Sequence, residues 1–139
     1  MNHNPNCLFC KIASKQIAAP ILYEDDHVIA FLDIMPRTPG HTLVVSKDHA
    51  PTLIQLPPNE VGPLFAAVKK VTALLVEKLG SDGATIGINQ GRVAGQEVDH
   101  LHVHVMPRWT GDGGGSIQSI VNVGNKGMSV EDIKKKVLG

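Results

Sequence analysis

The sequence predicts an α+β fold with a mainly antiparallel sheet of about five strands, one long helix and short terminal helices. Three observations support this prediction: short β-rich runs follow one another as hairpins, helices do not alternate with strands, and a single long segment has helical periodicity. The chain has 139 residues, of which 42% are apolar, so it is long enough to bury a core of its own. We therefore expect a single domain over residues 1–139.

The first third of the chain is predicted to hold a short helix and three strands. Residues 7–16 form a short helix or turn, and the β-rich runs 21–24 and 28–33 form a hairpin around two aspartates. Prolines and Gly40 then break the chain, and residues 41–46 resume as an apolar strand.

The middle of the chain is predicted to hold one long amphipathic helix followed by two strands. The helix starts near Pro57 and ends at Gly80. Residues 84–89 and 100–106 are the next two strands, the second of them ended by Pro107. The predicted apolar face of the helix comprises Val61, Leu64, Phe65, Val68, Thr72, Leu75 and Leu79.

The C-terminal part of the chain, residues 111–139, is predicted to be a glycine-rich loop and a short helix. Ser129 begins this helix, with Asp132 three residues later as its capping-box partner. Its apolar residues are expected to face inward, and these are Val130, Ile133 and Val137.

Charge and composition exclude several classes of function. Thirteen basic residues balance thirteen acidic ones and aromatic residues make up 4%, so neither a nucleic-acid footprint nor a stacking platform is expected. No apolar run approaches the roughly 20 residues that span a bilayer, and residues 1–6 do not resemble an export signal. We expect a cytoplasmic protein that binds neither membrane nor nucleic acid.

Three alternating histidines are the most informative feature of the sequence. Strand periodicity places His100, His102 and His104 on one face of a strand, with apolar side chains on the other. A packing role is improbable for three polar rings in strict alternation, because each buried ring needs a hydrogen-bond partner. Two functions remain open: ligands of a catalytic metal, or a nucleophilic imidazole whose neighbours bind an anion.

The only two cysteines, Cys7 and Cys10, have C-x-x-C spacing. In a reducing compartment this spacing is typical of metal or redox chemistry rather than of a structural disulfide. It provides half of a zinc site, and it is equally compatible with no function. A redox motif is disfavoured because no thioredoxin-like βαβ pattern follows.

The histidine segment resembles the sequence motif of the histidine triad superfamily, in which three histidines alternate with apolar residues. Further matches extend the resemblance over about residues 7–110, the expected core of the domain, whereas residues 111–139 carry little information. These matches lie at residues 7–12, 23–26, 30–34, 39–45 and 94–96.

The resemblance implies a nucleotide hydrolase or transferase that acts on the α-phosphate. His102 would attack phosphorus and form a nucleotidyl-histidine, with His104 and His41 against the phosphate. Of the remaining positions, Asn89, Gly95 and Gln96 would bind the phosphate or leaving atom, Asp33 would bind the ribose, and Phe31, Ile34 and Leu22 would form the base slot.

The resemblance also implies a structural zinc and a homodimer. The zinc ligands would be Cys7, Cys10, His49 and His100. The zinc would be structural, and the chemical step would need no cofactor. The dimer would form through the long helix and a shared sheet, and a face comprising Ala66, Ala67, Ala73 and Leu74 is compatible with this. One residue departs from the family pattern: Glu97 stands where many members carry Ser or Thr.

Three hypotheses on function remain open. The chain hydrolyses a nucleoside phosphoramidate, with a purine favoured by the resemblance; or it hydrolyses a dinucleoside polyphosphate; or it is a non-catalytic nucleotide-binding or scaffold protein. All three give the protein a small nucleotide as its ligand.

Overall fold

A computed structural model describes residues 1–139 and contains one five-stranded sheet. The strands are β1 (Ile21–Glu24), β2 (Val28–Leu32), β3 (Thr42–Ser46), β4 (Gly83–Gly87) and β5 (His102–Arg108). Every neighbouring pair of strands is antiparallel, in the order β1-β2-β3-β5-β4. The predicted α+β class and sheet are confirmed.

The sheet has different coverings on its two faces. There are three helices, α1 (Leu8–Ala13), α2 (Pro58–Leu79) and α3 (Val130–Leu138), and the long helix α2 packs along one face of the sheet. The larger core lies between α2 and the face of β5 that carries Leu101, Val103 and Val105. A smaller core lies on the opposite face, where the α1 segment packs on β2 and β3. The histidines of β5 therefore share their face with α1.

The last strand differs from its predicted bounds at both ends. It begins at His102 and continues through Pro107 to Arg108. A proline is tolerated there because β3 pairs with β5 only as far as Val105, so Pro107 lies beyond the end of that ladder. His100 precedes the strand, yet Leu101 and Val103 still point to the opposite face, as the alternation predicts.

The predicted buried face of the long helix is partly wrong. Phe65 and Leu79 are 42% and 45% exposed, whereas Ala67 and Val71 are buried. The buried stripe runs through Leu64, Ala67, Val68, Val71 and Leu75, because positions three, four and seven residues apart share one side of a helix. Ala67 therefore belongs to the chain's own core and not to an outer face.

The C-terminal helix begins as predicted but does not bury its apolar residues. Ser129 accepts a hydrogen bond from the backbone N–H of Asp132, and the reciprocal bond completes the capping box. Val130 and Val137 are 74% and 76% exposed, so the expectation that they face inward is wrong. Ile133, the third residue expected to face inward, is half-buried, and the helix follows a long exposed segment.

None of the helices is at once long enough and apolar enough to cross a bilayer. The 22-residue helix α2 carries its apolar residues on one side only, as expected for a helix packed on a sheet.

Candidate active site and metal centre

A cavity of about 570 Å³ opens on the face of the sheet that carries the histidines. His102 and His104 line it at β5, and His41 lines it at the start of β3. The remaining walls come from α1 and the loop after it, the end of β2, the β4–β5 connection and the C-terminal segment. Such a concave site with a few convergent polar groups is typical of small-molecule binding.

His102 is held by one ring nitrogen and leaves the other free. Its Nδ1 lies 2.7 Å from the backbone carbonyl oxygen of His100, so Nδ1–H donates to that oxygen. This bond leaves the lone pair on Nε2. Among the fully buried side-chain nitrogen and oxygen atoms, only Ser81 Oγ has no hydrogen-bond partner. His102 Nε2 also has no partner but is not in that set, so it is not enclosed in the core. The ring of Phe9 packs edge-on against the imidazole at 5.1 Å between centroids.

His41 and His104 form a directed chain of hydrogen bonds. The backbone N–H of Arg37 donates to His41 Nδ1 at 3.1 Å, so a neutral His41 carries its proton on Nε2. That proton is donated to His104 Nδ1 at 2.9 Å, which leaves His104 with a proton on its own Nε2. The chain thus makes His104 a hydrogen-bond donor. The rings of His102 and His104 lie 5.0 Å apart.

Burial keeps His41 and His104 uncharged at neutral pH. It lowers the pKa of His104 to about 4, with smaller contributions from the neighbouring His102 and His41. Burial also lowers the pKa of His41, partly offset by Asp33, whose carboxylate lies 3.7 Å from His41 Nε2. The site can therefore donate hydrogen bonds to a phosphate without adding a full positive charge.

The β2 side of the cavity carries most of the residues expected to bind base and ribose. Phe31, Asp33 and Ile34 all line the cavity. Leu22 does not: it is 36% exposed on the edge strand β1 and lies outside the lining, which overturns its placement in the base slot. Apolar residues that sequence reasoning did not select also line the cavity, namely Leu8, Ile12, Ile17 and Pro20.

The β4–β5 connection brings Asn89 and Gly95 to the other side of the cavity. Gly95 has a φ of 100°, a conformation that favours glycine, and a Cβ there would lie 3.8 Å from the Asn89 amide nitrogen. Gln96 does not line the cavity. Its amide donates to the carbonyls of Pro51 and Val98 and accepts from the backbone N–H of Gly91. It holds the loop together, which leaves no bond for the phosphate role expected of it.

The four residues expected to bind metal converge beside the cavity. The ligand atoms of Cys7, Cys10, His49 and His100 all lie within 4.8 Å of one another. His100 Nδ1 lies 3.3 Å from Cys7 Sγ and 3.2 Å from His49 Nδ1, and Cys10 Sγ lies 3.4 Å from His49 Nδ1. Tetrahedral zinc, with Zn–S about 2.3 Å and Zn–N about 2.0–2.1 Å, requires ligand atoms about 3.3–3.8 Å apart. The three quoted separations lie in this range or within about 0.1 Å of it, so they are compatible with a zinc site.

The orientation of His100 also fits a metal ligand. Its Nε2 lies 2.7 Å from the carbonyl oxygen of Ser46, so Nε2–H donates there and Nδ1 keeps its lone pair. Burial lowers the pKa of His100 to about 4 and raises the pKa of the Cys10 thiol. A metal would bind the neutral imidazole directly and would displace the thiol proton. A second group of potential ligand residues comprises Asp33, His41 and His104, and His102 belongs to neither group.

A family model described as the HIT domain matches residues 14–111, about two-thirds of the chain. The chain belongs to the HIT domain family. The matched residues include β1 to β5, α2, the three histidines of the motif and the whole β4–β5 connection. The resemblance seen in the histidine segment is confirmed.

Three similar proteins bear on the site. An uncharacterised HIT-like protein of Methanocaldococcus jannaschii is 46% identical, over 96% of this chain and 99% of its own. Adenylylsulfatase HINT3 of Arabidopsis thaliana is 38% identical over 74% of this chain and about half of its own length, 52%. A crystal structure of a zinc-bound histidine triad family protein from Mycobacterium smegmatis superposes with a TM-score of 0.74, at 41% identity over 78% of each chain.

Proposed function

We propose that this protein is a nucleotide hydrolase of the histidine triad type that acts on a nucleoside phosphoramidate through a nucleotidyl-histidine intermediate. One observation carries the proposal: His102 has its Nδ1–H bound to the carbonyl of His100 at 2.7 Å, and its Nε2 lone pair is free at the cavity. A nucleophilic imidazole needs this tautomer, because the attacking nitrogen must carry no proton.

The chemistry takes place in two displacement steps at the α-phosphorus. The lone pair of His102 Nε2 forms a bond to phosphorus, the bond to the leaving nitrogen breaks, and that nitrogen takes a proton from solvent. The ring is then cationic, and its Nδ1–H bond to the carbonyl of His100 stabilises it. Water attacks phosphorus and gives up one proton to solvent, the N–P bond breaks with its electron pair returning to Nε2, and a nucleoside monophosphate and neutral His102 are released.

His104 and His41 supply hydrogen bonds to the phosphate in this proposal. The bond from His41 to His104 Nδ1 makes His104 Nε2 a donor, and the pKa of about 4 keeps the ring neutral. Fixed donors in a partly desolvated site stabilise charge that develops on the phosphate oxygens. Asp33 would accept from the ribose hydroxyls, and Phe31 and Ile34 would contact the base. Asn89 and Gly95 would lie at the leaving-atom side.

A structural zinc in the Cys7, Cys10, His49 and His100 cluster is part of the proposal. The spacing of the ligand atoms and the bond from His100 to Ser46 support it, and a similar histidine triad protein is zinc-bound. Bound there, zinc would stabilise the fold by joining the N-terminal segment to the start of β5, and it would take no part in the displacement.

We also propose that two copies of the chain form a homodimer. The strand β4 is an edge of the sheet, and exposed apolar side chains lie beside it on α2 and β4, including Phe65, Val76 and Ile86. An unpaired edge with an apolar surface is suited to pairing with a second copy. Analytical ultracentrifugation tests this: Phe65→Lys should convert a dimer to a monomer, and a monomeric wild type contradicts it.

Three matched substrates and one covalent readout test the enzymatic proposal. Adenosine 5′-phosphoramidate, a diadenosine polyphosphate and adenylylsulfate are assayed in parallel. The protein is then examined by mass spectrometry without exposure to acid, because acid hydrolyses the P–N bond of a nucleotidyl-histidine. We expect the phosphoramidate to react fastest and to label His102 with one nucleotidyl group. Preference for the polyphosphate would support the alternative hydrolase. Binding without turnover or label would support a non-catalytic protein and contradict the proposal.

A further inference from the structure

The cavity has few charged groups for an anion site. Only three of its lining residues carry a formal charge at neutral pH: Arg37, Asp33 and Glu97. The three cavity histidines do not add to the positive charge, because burial lowers the pKa of His104 and His41 and the mechanism requires His102 to be neutral. With one cation and two carboxylates, the lining has no excess of positive charge to bind a polyanion.

The three charges come from two different connections of the sheet. Asp33 and Arg37 belong to the connection between β2 and β3, which lie on one side of β5 in the sheet. Glu97 belongs to the connection between β4 and β5 and lines the cavity together with Asn89 and Gly95 of the same connection. If the nucleoside occupies the β2 end of the cavity, as proposed above, we expect this connection, with Glu97, to face the leaving group.

The carboxylate of Glu97 is free to meet a ligand. No hydrogen bond or ion pair within the chain engages it, and the only polar contact of the residue is its backbone carbonyl, 3.4 Å from Arg92 Nη1. The side chain that does pair with Arg92 belongs to Asp99, at 3.2 Å. Gln96, directly before Glu97, is buried and bonded to backbone, so the position of Glu97 is set by a fixed neighbour.

Apolar residues of the C-terminal segment also line the cavity. Ile117 Cδ1 lies 3.8 Å from where a Cβ on Gly87 would be, and Gly87 pairs with His104 across the β4–β5 ladder. Ile120 lines the cavity as well. Arg108 positions this segment by donating to the carbonyl of Gly115 at 2.7 Å. The cavity therefore combines aliphatic side chains of the C-terminal segment with one unpaired carboxylate from the β4–β5 connection.

We propose that Glu97, with Ile117 and Ile120, forms a leaving-group subsite that accepts neutral or cationic aliphatic amines and rejects anionic leaving groups. This inference rests on the proposed function, since it assigns the leaving group of that same reaction. A carboxylate attracts an ammonium group and repels a carboxylate or phosphate, and at about 6 Å in partly solvated surroundings each effect amounts to about 3–10-fold. Added salt weakens both.

The test uses three adenosine 5′-phosphoramidates of equal chain length. Their amines are 1,4-diaminobutane, butylamine and 4-aminobutyrate, which end in a cation, a methyl group and a carboxylate. For the wild type we expect kcat/KM to fall in that order, with the cationic compound at least about 10-fold above the anionic one. In Glu97→Gln the ratio should fall to within about threefold, and in Glu97→Lys it should invert.

Asp99→Asn is the matched control, because it removes the same charge two residues away and outside the cavity lining. It should leave the cation-to-anion ratio within about twofold of the wild type. Ile120→Asn should slow the butylamine compound more than unsubstituted adenosine phosphoramidate, which has no aliphatic chain to contact it. An unaltered ratio in Glu97→Gln, or equal rates for all three compounds in the wild type, overturns the inference.

Failure of the proposed function is read separately. If the wild type turns over none of the three compounds and His102 carries no adduct, the enzymatic proposal is contradicted. Calorimetric Kd values of the intact compounds then still test the subsite. Tighter binding of the cationic compound, lost in Glu97→Gln, supports the subsite, and equal Kd values refute it.

Discussion

Two histidines from one motif have opposite ring nitrogens bound to backbone carbonyls. His100 is fully buried, is anchored through Nε2 to the carbonyl of Ser46, and presents Nδ1 to two thiols and a second imidazole. His102 is anchored through Nδ1 to the carbonyl of His100 and presents Nε2 to the cavity. Both rings have one nitrogen fixed by a backbone carbonyl. The nitrogen that remains free, and what surrounds it, decides between a metal ligand and a nucleophile.

The two sites are physically connected. The backbone of His100 carries the carbonyl that orients His102, and its ring belongs to the metal cluster. Phe9 packs edge-on against both rings, at 5.9 Å from His100 and 5.1 Å from His102. A metal that held the ring of His100 would also fix the carbonyl that orients His102, and so would act indirectly on the proposed chemistry.

Replacing the nucleophile should separate the two sites most sharply. His102→Ala should lower kcat/KM by about 10³-fold or more, because the nitrogen that bonds to phosphorus is lost. Zinc content should be unchanged, since His102 is not among the clustered ligands. Steady-state assays and elemental analysis of the same preparation provide the comparison. Full turnover by the variant would refute the assignment of His102.

Removing the metal should affect stability first and turnover second. A ligand present at about 1,000 times its Kd stabilises the folded chain by about 4 kcal/mol, so chelation or Cys10→Ser should lower Tm by about 10 °C or more. Turnover should fall by only about 3–10-fold, through loosening of the carbonyl that orients His102.

The variant provides the control for the chelator. Because Cys10→Ser lacks one ligand, the chelator should not lower its Tm further. Wild-type protein that contains no zinc after purification in zinc-supplemented medium, or whose Tm is insensitive to the chelator, would contradict a structural metal.

Acid should reveal the buried triad ring next. The pKa of His104 is about 4 in the folded chain and near 6.5 when unfolded, because burial disfavours its charged form. Between pH 6.5 and 4 the unfolded chain gains a proton that the folded chain does not, so stability falls as pH falls. After allowance for solvent screening, the loss is about 1–2 kcal/mol.

Urea unfolding at pH 7.5 and 5.0, with excess zinc, measures this loss. His104→Gln should show a smaller drop than the wild type, because glutamine does not titrate. Equal drops in both proteins would show that His104 does not carry the pH dependence.

The smallest effect is expected at the ring shared by both sites. Phe9→Leu keeps an apolar side chain in the smaller core but loses both edge-on contacts, each worth about 0.5–1.5 kcal/mol at most. Stability should fall by about 1 kcal/mol and kcat by a few-fold, with zinc retained. Leu8→Ala, on the exposed side of the same helix, is the control and should change stability less. Loss of zinc in Phe9→Leu would show that the clusters are coupled more tightly than proposed.

Features governed by local periodicity could be predicted from the sequence. The alternation of residues 100–106 correctly separated the histidine face from the apolar face, and Ser129 with Asp132 correctly marked a helix start. The convergence of Cys7 and Cys10 with His49 and His100 also appeared as expected. It was the family resemblance, and not spacing, that selected the two distant histidines.

Features that depend on distant neighbours could not be predicted. Pro107 was expected to end the strand. This was wrong because β3 stops pairing with β5 at Val105, which the sequence does not reveal. Gln96 was expected at the phosphate. Its amide instead donates to the carbonyl of Pro51, 45 residues away, and the sequence does not reveal that contact. The contribution of Ile117 and Ile120 to the cavity likewise depends on a tertiary contact of the C-terminal segment, which no periodicity encodes.

The ring tautomers provide the most direct test of the central claim. Long-range ¹H–¹⁵N correlation spectra of the histidine-labelled protein at pH 7 identify which ring nitrogen of each histidine carries its proton. The structure predicts a proton on Nδ1 of His102 and on Nε2 of His104. A His102 resonance with its proton on Nε2, or an imidazolium at that position, would leave no lone pair to attack phosphorus and would contradict the account.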